Sequence, residues 1–199
     1  MSTDDLWRGK FGDEYTRRNN PLYNKRAEFF LRLVGHYSLN SVCEIGANSG
    51  ANLRALQMAC SNVSLTGVEI NQLALSTLGE LPGIRAVHAN WRDFAPDTTF
   101  DLVLTSGLLI HIAPEDLPAA YAKIATLSKK FVLLMEYFSP IPVKIQYRGH
   151  IAKLWKRDFG FEFLQHTERF EVIDYGFLWK HKEPAWDNVT WWLFKRNGT

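Results

Sequence analysis

Apolar residues recur along this chain with two distinct periods. Over residues 21–37, Phe29, Phe30, Leu33 and Val34 return near helical spacing, with Lys25, Arg26, Glu28 and Arg32 between them. That pattern predicts an amphipathic helix. Short apolar runs predict strands at residues 42–45, 63–70, 84–89, 100–106 and 130–137. Helices are predicted between them at residues 52–60, at residues 72–78, ended near Gly79 and Pro82, and at residues 117–127, opened by Pro114, Glu115 and Asp116. Strands alternating with helices predict an α/β architecture, a parallel sheet covered on both faces. Beyond Ser139 the character changes. Residues 161–165, 172–175 and 190–195 are aromatic-rich and predict strands, while residues 151–157 predict a helix. An antiparallel hairpin closing the sheet accounts for the last two strands. No repeat or linker interrupts residues 1–199, so one domain is expected.

Chemistry enters at residues 41–69. A strand, a turn at residues 46–50, a helix and a second strand ending on Glu69 make one βαβ unit, with the acid about 20 residues beyond the loop. Gly46 and Gly50 let backbone approach a ligand closely, the helix start offers unpaired N–H groups, and Glu69 can accept both hydroxyls of a ribose. A nucleoside-containing cofactor is the natural occupant; an ordinary strand–turn–helix with incidental glycines is the plainer alternative. A dinucleotide fingerprint wants Gly-x-Gly-x-x-Gly/Ala. Here Ala51 fills the third place, but Asn48 stands where a bare glycine must meet the pyrophosphate. Glu44, two residues before Gly46, would repel a pyrophosphate and suits a cationic ligand.

The pattern Glu44-x-Gly46-x-Asn48-x-Gly50 resembles the first motif of class I S-adenosylmethionine-dependent methyltransferases, usually acid-x-Gly-x-Gly-x-Gly. Asn48 keeps the tolerance for positive φ that the middle glycine supplies. The resemblance implies a Rossmann-like class I methyltransferase fold, a mostly parallel seven-stranded sheet with a C-terminal antiparallel hairpin, and S-adenosyl-L-methionine as cofactor without a metal. It implies that Gly46, Asn48, Gly50 and Asn52 wrap the methionine end, that Glu44 lies near its ammonium group, and that Glu69 and Ile70 border the ribose. Asn90 and Trp91, closing the third strand, are implied at the adenine. The run from Phe100-Asp101-Leu102-Val103 to His111-Ile112 resembles the Phe-Asp-x-Val strand and His-Ile turn of many small-molecule methyltransferases. By that likeness Ser106 and Gly107 face the cofactor. His111 is the residue there best matched to proton transfer near neutral pH, with a structural histidine as the alternative. The Asn/Asp-Pro-Pro-aromatic tetrad of the exocyclic-amino DNA methyltransferases is missing from this place.

Near the N-terminus, Trp7, Phe11 and Tyr15 are spaced four apart, which suits one helix face, although Gly9 and Gly12 are poor helix formers. Together with Tyr175-Gly176-Phe177-Leu178-Trp179-Lys180 and the closing Trp191-Trp192-Leu193-Phe194-Lys195, residues 6–19 resemble the pseudaminic acid biosynthesis-associated methylases, over nearly the whole chain. By that likeness residues 1–20 form a lid, with Trp7, Tyr15, Arg18 and Asn19 over the cofactor and Arg18 available to its carboxylate. Residues 140–199 form the acceptor side. An acceptor pocket is expected from Glu136, Tyr137, Tyr147, Arg148, His150, Asp174 and Tyr175. Arg148 would hold an anionic sugar beside Glu136, Tyr137 and Tyr175, and His111, His150 or Tyr147 would take the acceptor's proton. The implied reaction is methyl transfer to a hydroxyl or amine of a small metabolite, a nonulosonic-acid or nucleotide-sugar intermediate of sugar biosynthesis.

Composition narrows the field further. A hydrophobic content of 46% excludes disorder, and a net charge of +2 weighs against a dedicated nucleic-acid binder. Cys43 and Cys60 read as buried free thiols of a reducing compartment. The acidic N-terminus lacks an apolar run, and residues 131–135 are too short to span a bilayer. A cytoplasmic protein with a small-molecule substrate, no nucleic acid and no membrane is expected. Two other readings stay open. One is an RNA or protein methyltransferase using Trp155-Lys156-Arg157 and Trp179-Lys180; the other is a non-catalytic cofactor-binding protein of the same fold.

Overall fold

The computed structural model describes residues 3–18, 23–60, 62–146 and 153–198. Two short N-terminal helices, α1 (Thr3–Arg8) and α2 (Lys10–Arg18), precede α3 (Tyr23–Val34). The alternating part runs β1 (Ser41–Ile45), α4 (Ala51–Ala59), β2 (Ser64–Glu69), α5 (Gln72–Gly79), β3 (Ile84–His88) and β4 (Phe100–Ser106). Two 3₁₀ turns (Leu109–His111 and Pro114–Asp116) lead into α6 (Leu117–Leu127) and β5 (Ser128–Glu136). The C-terminal part holds β6 (Val143–Gln146), β7 (Lys153–Lys156), α7 (Phe159–His166), β8 (Phe170–Leu178) and β9 (Val189–Arg196).

Seven strands form one sheet in the order β3-β2-β1-β4-β5-β9-β8, and β6-β7 form a separate pair. The first five strands of the large sheet are parallel; β9 runs antiparallel to β5, and β8 antiparallel to β9. This is the expected mostly parallel sheet closed by an antiparallel hairpin. The central strands carry apolar residues on both faces because both faces are covered. Val42, Leu102, Leu104, Leu133 and Leu193 pack with Phe29, Phe30 and Leu33 of α3 and Leu53 and Leu56 of α4. The alternate residues Cys43, Ile45, Val103, Val132, Leu134 and Phe194 pack with Tyr121 and Ile124 of α6 and Phe159 and Phe163 of α7. Helices this short are marginal alone in water, whereas each fully buried large apolar side chain contributes roughly 1.5–3 kcal/mol. Tertiary burial therefore decides where they sit. Among the described residues no helix is long and apolar enough to cross a membrane.

Two expected elements are overturned. Residues 161–165, expected as a strand, belong to helix α7. Asp158 caps it, its carboxylate accepting from the Phe161 N–H at 3.0 Å, and Phe159 and Phe163 then share the buried face one turn apart. Residues 151–157, expected as a helix, contribute strand β7, whose partners on β6 come from residues ten or so positions back in the chain. The N-terminal segment is helical despite its glycines. Gly9 falls between α1 and α2, and at Gly12 a Cβ would stand 2.0 Å from the Trp7 carbonyl oxygen and 2.7 Å from Asn71 Nδ2. Gly12 is thus what lets α2 close against α1 and the start of α5. The expected helix at residues 21–37 is described over Tyr23–Val34.

Candidate functional site

The strand order reverses between β1 and β4, and in open α/β sheets ligands bind outside the carboxyl ends of the strands at such a point. There the chain leaves β1 through Gly46 (φ 76°), Asn48 (φ 46°) and Gly50 (φ 82°), all left-handed. The N–H groups of Gly46 and Ala47 donate to the Val68 carbonyl at 2.9 and 3.0 Å. Glu69 then ties the loop to the end of β2. Its Oε2 accepts from the Asn48 N–H at 2.7 Å, and its Oε1 accepts from the N–H groups of Ile70 and Asn71 at 2.8 and 2.7 Å. Burial pushes the Glu69 carboxyl up, and these three N–H groups pull it back. Three of a carboxylate's roughly four acceptor sites are taken, so Glu69 keeps room for about one further donor.

Glu44 is not where the sequence pattern placed it. Alternation along β1 turns Cys43 and Ile45 toward α6 and sends Glu44 to the other face, under the loop. Its Oε1 accepts from Asn52 Nδ2 at 2.7 Å, and Asn52 Oδ1 accepts in turn from Arg26, whose guanidinium lies 4.3 Å from the Trp186 ring. Glu44 Oε2 has no hydrogen-bond partner among the described residues. Burial pushes the Glu44 carboxyl up to about 8, opposed by the Asn52 amide and then by Arg26. Gly46 and Asn48 line the cleft; Glu44, Gly50 and Asn52 stand behind it. A carboxylate there supports the loop from behind and does not line the cleft.

The cleft itself encloses about 1010 Å³. Asn90 and Trp91 after β3, Ser106 and Gly107 after β4, Ile70 after β2, and Tyr15 from α2 all line it. Helix α1 crosses its mouth. Asn90 Nδ2 donates to Asp4 at 2.6 Å, while Arg92 pairs with Asp4 at 3.3 Å and also with Asp116. Trp7 meets Phe11, Tyr15 and His111 with ring centroids 5.1, 5.2 and 4.7 Å apart. His111 is buried on the cleft wall, at the end of the Leu109–His111 turn. Arg18 is exposed and stands outside the cleft lining.

Residues 42–130 match a family profile described as a methyltransferase domain. A search among curated proteins found no sequence match. Solved structures resemble the fold closely at low identity. Mitomycin 7-O-methyltransferase superposes with a TM-score of 0.75 at 13% identity over 98% of this chain, which spans 61% of that enzyme's length. Magnesium protoporphyrin IX methyltransferase from Synechocystis PCC 6803, solved with bound S-adenosylhomocysteine, gives 0.72 at 14% identity, covering 98% of both chains. An amino pentose methyltransferase from Micromonospora echinaspora, solved with bound S-adenosylmethionine, gives 0.65 at 14% identity over 94% of this chain and 95% of that one. The architecture is that of the class I methyltransferases.

On the acceptor side of this domain several expectations are corrected. Glu136 is fully buried and holds the turn after β4: Thr105 Oγ1 and the N–H groups of Leu108 and Leu109 donate to its Oε1 at 3.1, 3.2 and 3.1 Å, and the Ile110 N–H to its Oε2 at 3.3 Å. Burial pushes its carboxyl up to about 7, against those same bonds. With its oxygens so engaged beneath the turn, Glu136 stands outside the cleft lining. Tyr137 donates its hydroxyl to Asp187 at 3.2 Å, away from the cleft. Tyr175 is 71% exposed on β8, the edge strand farthest from the switch point, and Asp174 is exposed beside it. Tyr147, Arg148 and His150, like Asn19 at the other end, lie outside the described residues. Asp4, Leu108, Ile112, Lys144 and Trp155, which sequence reasoning missed, also line the cleft. The alternation Val143-Lys144-Ile145 was the available signal for β6, hidden by the two prolines before it.

Proposed function

We propose that this protein transfers a methyl group from S-adenosylmethionine to a hydroxyl or amine of a small metabolite, with a sugar-like acceptor, a nonulosonic acid or nucleotide sugar, as the favoured class. One observation carries the donor half: the left-handed Gly46–Asn48–Gly50 turn is latched to Glu69 at the mouth of a 1010 Å³ cleft, at the switch point of the sheet. The residues fit such a donor. Glu69 retains acceptor capacity for a ribose, and Trp91 and Asn90 offer an apolar face and a polar edge for a base. Asn48 Oδ1 and Trp7 Nε1, an acceptor and a donor on cleft-lining residues, have no partner among the described residues. A zwitterionic amino-acid end needs one of each. The sugar-like acceptor is supported by the resemblance to the pseudaminic acid-associated methylases and by the amino pentose methyltransferase among the structural neighbours.

Bound S-adenosylmethionine supplies an electrophilic methyl on sulfur. The chain's own work is to hold, orient and take up a proton. Well-oriented reactants correspond to effective molarities worth roughly 7–11 kcal/mol, so the walls around Ser106, Gly107 and His111 supply most of the rate. His111 is the imidazole on the cleft wall, and as a base it adds about 10²–10⁴-fold. The rival RNA or peptide surface is weakened by what its residues do: Trp155 is built into the cleft wall, Arg157 pairs with Glu162 at 2.7 Å, and Lys180 pairs with Asp187 at 2.8 Å. The test is mass spectrometry of methyl transfer from labelled S-adenosylmethionine to a panel of nucleotide sugars, nonulosonic acids and amino sugars, beside a short RNA and a peptide mixture. Label in a sugar supports the proposal; label only in RNA or peptide replaces it.

A further inference from the structure

Lys144 and Trp155 line the cleft but have no counterpart in its donor-binding half. They are register partners across the β6–β7 hairpin, so their side chains leave the same face of it. Leu154, the neighbour of Trp155, points the other way into the layer formed with α6 and α7. The hairpin lies against the Leu109–His111 turn, which puts the Lys–Trp pair on the His111 side of the cleft. Trp155 is 8% exposed while it lines the cleft, so its ring is held by packing.

The charges at the mouth are unevenly spoken for. Asp4 and Asp116 are both engaged by Arg92, and Glu69 by three backbone N–H groups. Glu115 adjoins Asp116, on the Arg92 side. Lys144 is exposed, and no acidic side chain among the described residues lies within ion-pair distance of it. In the sequence, residues 143–157 hold no Asp or Glu. A cationic acceptor would be repelled from this side, and a neutral one would leave the ammonium group without a counter-charge. A ring compound bearing an anion satisfies both residues, because a charge-assisted hydrogen bond to Lys144 and a flat contact on Trp155 act together.

We propose that the acceptor carries an anionic group, a phosphate or a carboxylate, which Lys144 holds at the cleft mouth while the acceptor's ring lies against Trp155. This rests on the methyltransferase reading of the cleft and sharpens its acceptor side. Lys144 is a specificity-determining residue here, not a catalytic one. The test uses the whole chain saturated with S-adenosylhomocysteine and measures, by calorimetry, the binding of N-acetylglucosamine 6-phosphate, N-acetylneuraminate and uncharged N-acetylglucosamine. At least one anionic probe is expected to bind about tenfold or more tightly than the neutral sugar, and more weakly as salt rises. Lys144→Gln should close that gap to within about twofold, Lys144→Arg should keep most of it, and neither should change the affinity for S-adenosylhomocysteine. Whichever anionic probe shows the gap names the group. Equal affinities for the three probes, no binding of either anionic probe, or a gap that survives Lys144→Gln overturns the proposal. Failure of the unmodified protein to bind S-adenosylhomocysteine would instead sink the donor reading, so the two failures are told apart.

Discussion

Glu69 does two things at once: it latches the turn after β1 through the Asn48 N–H, and it presents its remaining acceptor capacity to the cleft. Glu69→Ala should therefore weaken S-adenosylhomocysteine binding by at least about tenfold, since a hydrogen bond to a charged group contributes roughly 1.5–3 kcal/mol. It should also lower the melting temperature, because the N–H groups of Asn48, Ile70 and Asn71 lose their acceptor. Calorimetry that finds the affinity unchanged removes the argument for a nucleoside site. Glu44 makes a prediction of a different kind. Its carboxyl stands at about 8, above the ordinary 4.5, so between those values the folded protein binds more protons than the unfolded chain. Unfolding free energy then falls as pH rises through that window, and the penalty is absent below it. Glu136, at about 7, adds a slope of the same sign over the lower part of the window. Melting should come at higher temperature near pH 6 than near pH 8, and Glu44→Gln, neutral throughout and still able to accept from Asn52, should flatten much of that slope. A Gln variant whose melting follows the unmodified protein at every pH contradicts this account.

At the scale of elements, α1 sits on the surface across the cleft. None of its residues is buried; it is tied down by Asp4 to Asn90 and Arg92 and by the Trp7 carbonyl to Asn71. Trp7 Nε1 is enclosed without a partner, a cost of about 1–3 kcal/mol that a bound ligand or an opened helix relieves. We predict that α1 and α2 act as a lid: trypsin cleavage at Lys10 or Arg18 should slow when S-adenosylhomocysteine is added. Equal rates with and without it would mark the segment as plain packing. Helix α7 shows how local chemistry overrides aromatic content. Asp158→Ala should cost about 1 kcal/mol and lower the melting temperature by about 2–4 °C, by loss of the cap to Phe161. Phe161 itself is exposed, so the strand-like look of Phe-Glu-Phe came from a residue that packs against nothing in the core. Strand β7 escapes a sequence reading for another reason: a four-residue strand carries too little periodicity to announce itself, and its pairing with β6 decides it.

Over the whole molecule, a ligand that binds only the folded state should stabilise all of it. At a concentration of about 100 times its Kd, S-adenosylhomocysteine should add about 2.7 kcal/mol, a rise of roughly 5–11 °C in melting temperature, whereas NAD should add nothing measurable. A matching rise with NAD would reverse the choice of donor. The alternation of strands and helices, the left-handed turn at Gly46, Asn48 and Gly50, the acid at Glu69, and the places of Ser106, Gly107 and His111 were all legible in the sequence. Each is local: a period, a backbone preference, or a residue a fixed few positions past a strand end, so the neighbours in the chain decide it. Which face of β1 Glu44 takes, whether Glu136 looks into the cleft or caps the turn beneath it, how far edge strand β8 removes Tyr175 from the site, and that Lys144 and Trp155 complete the wall were decided only in three dimensions. In those cases the partner lies on another element, and burial against that partner, not local preference, sets what the side chain can reach.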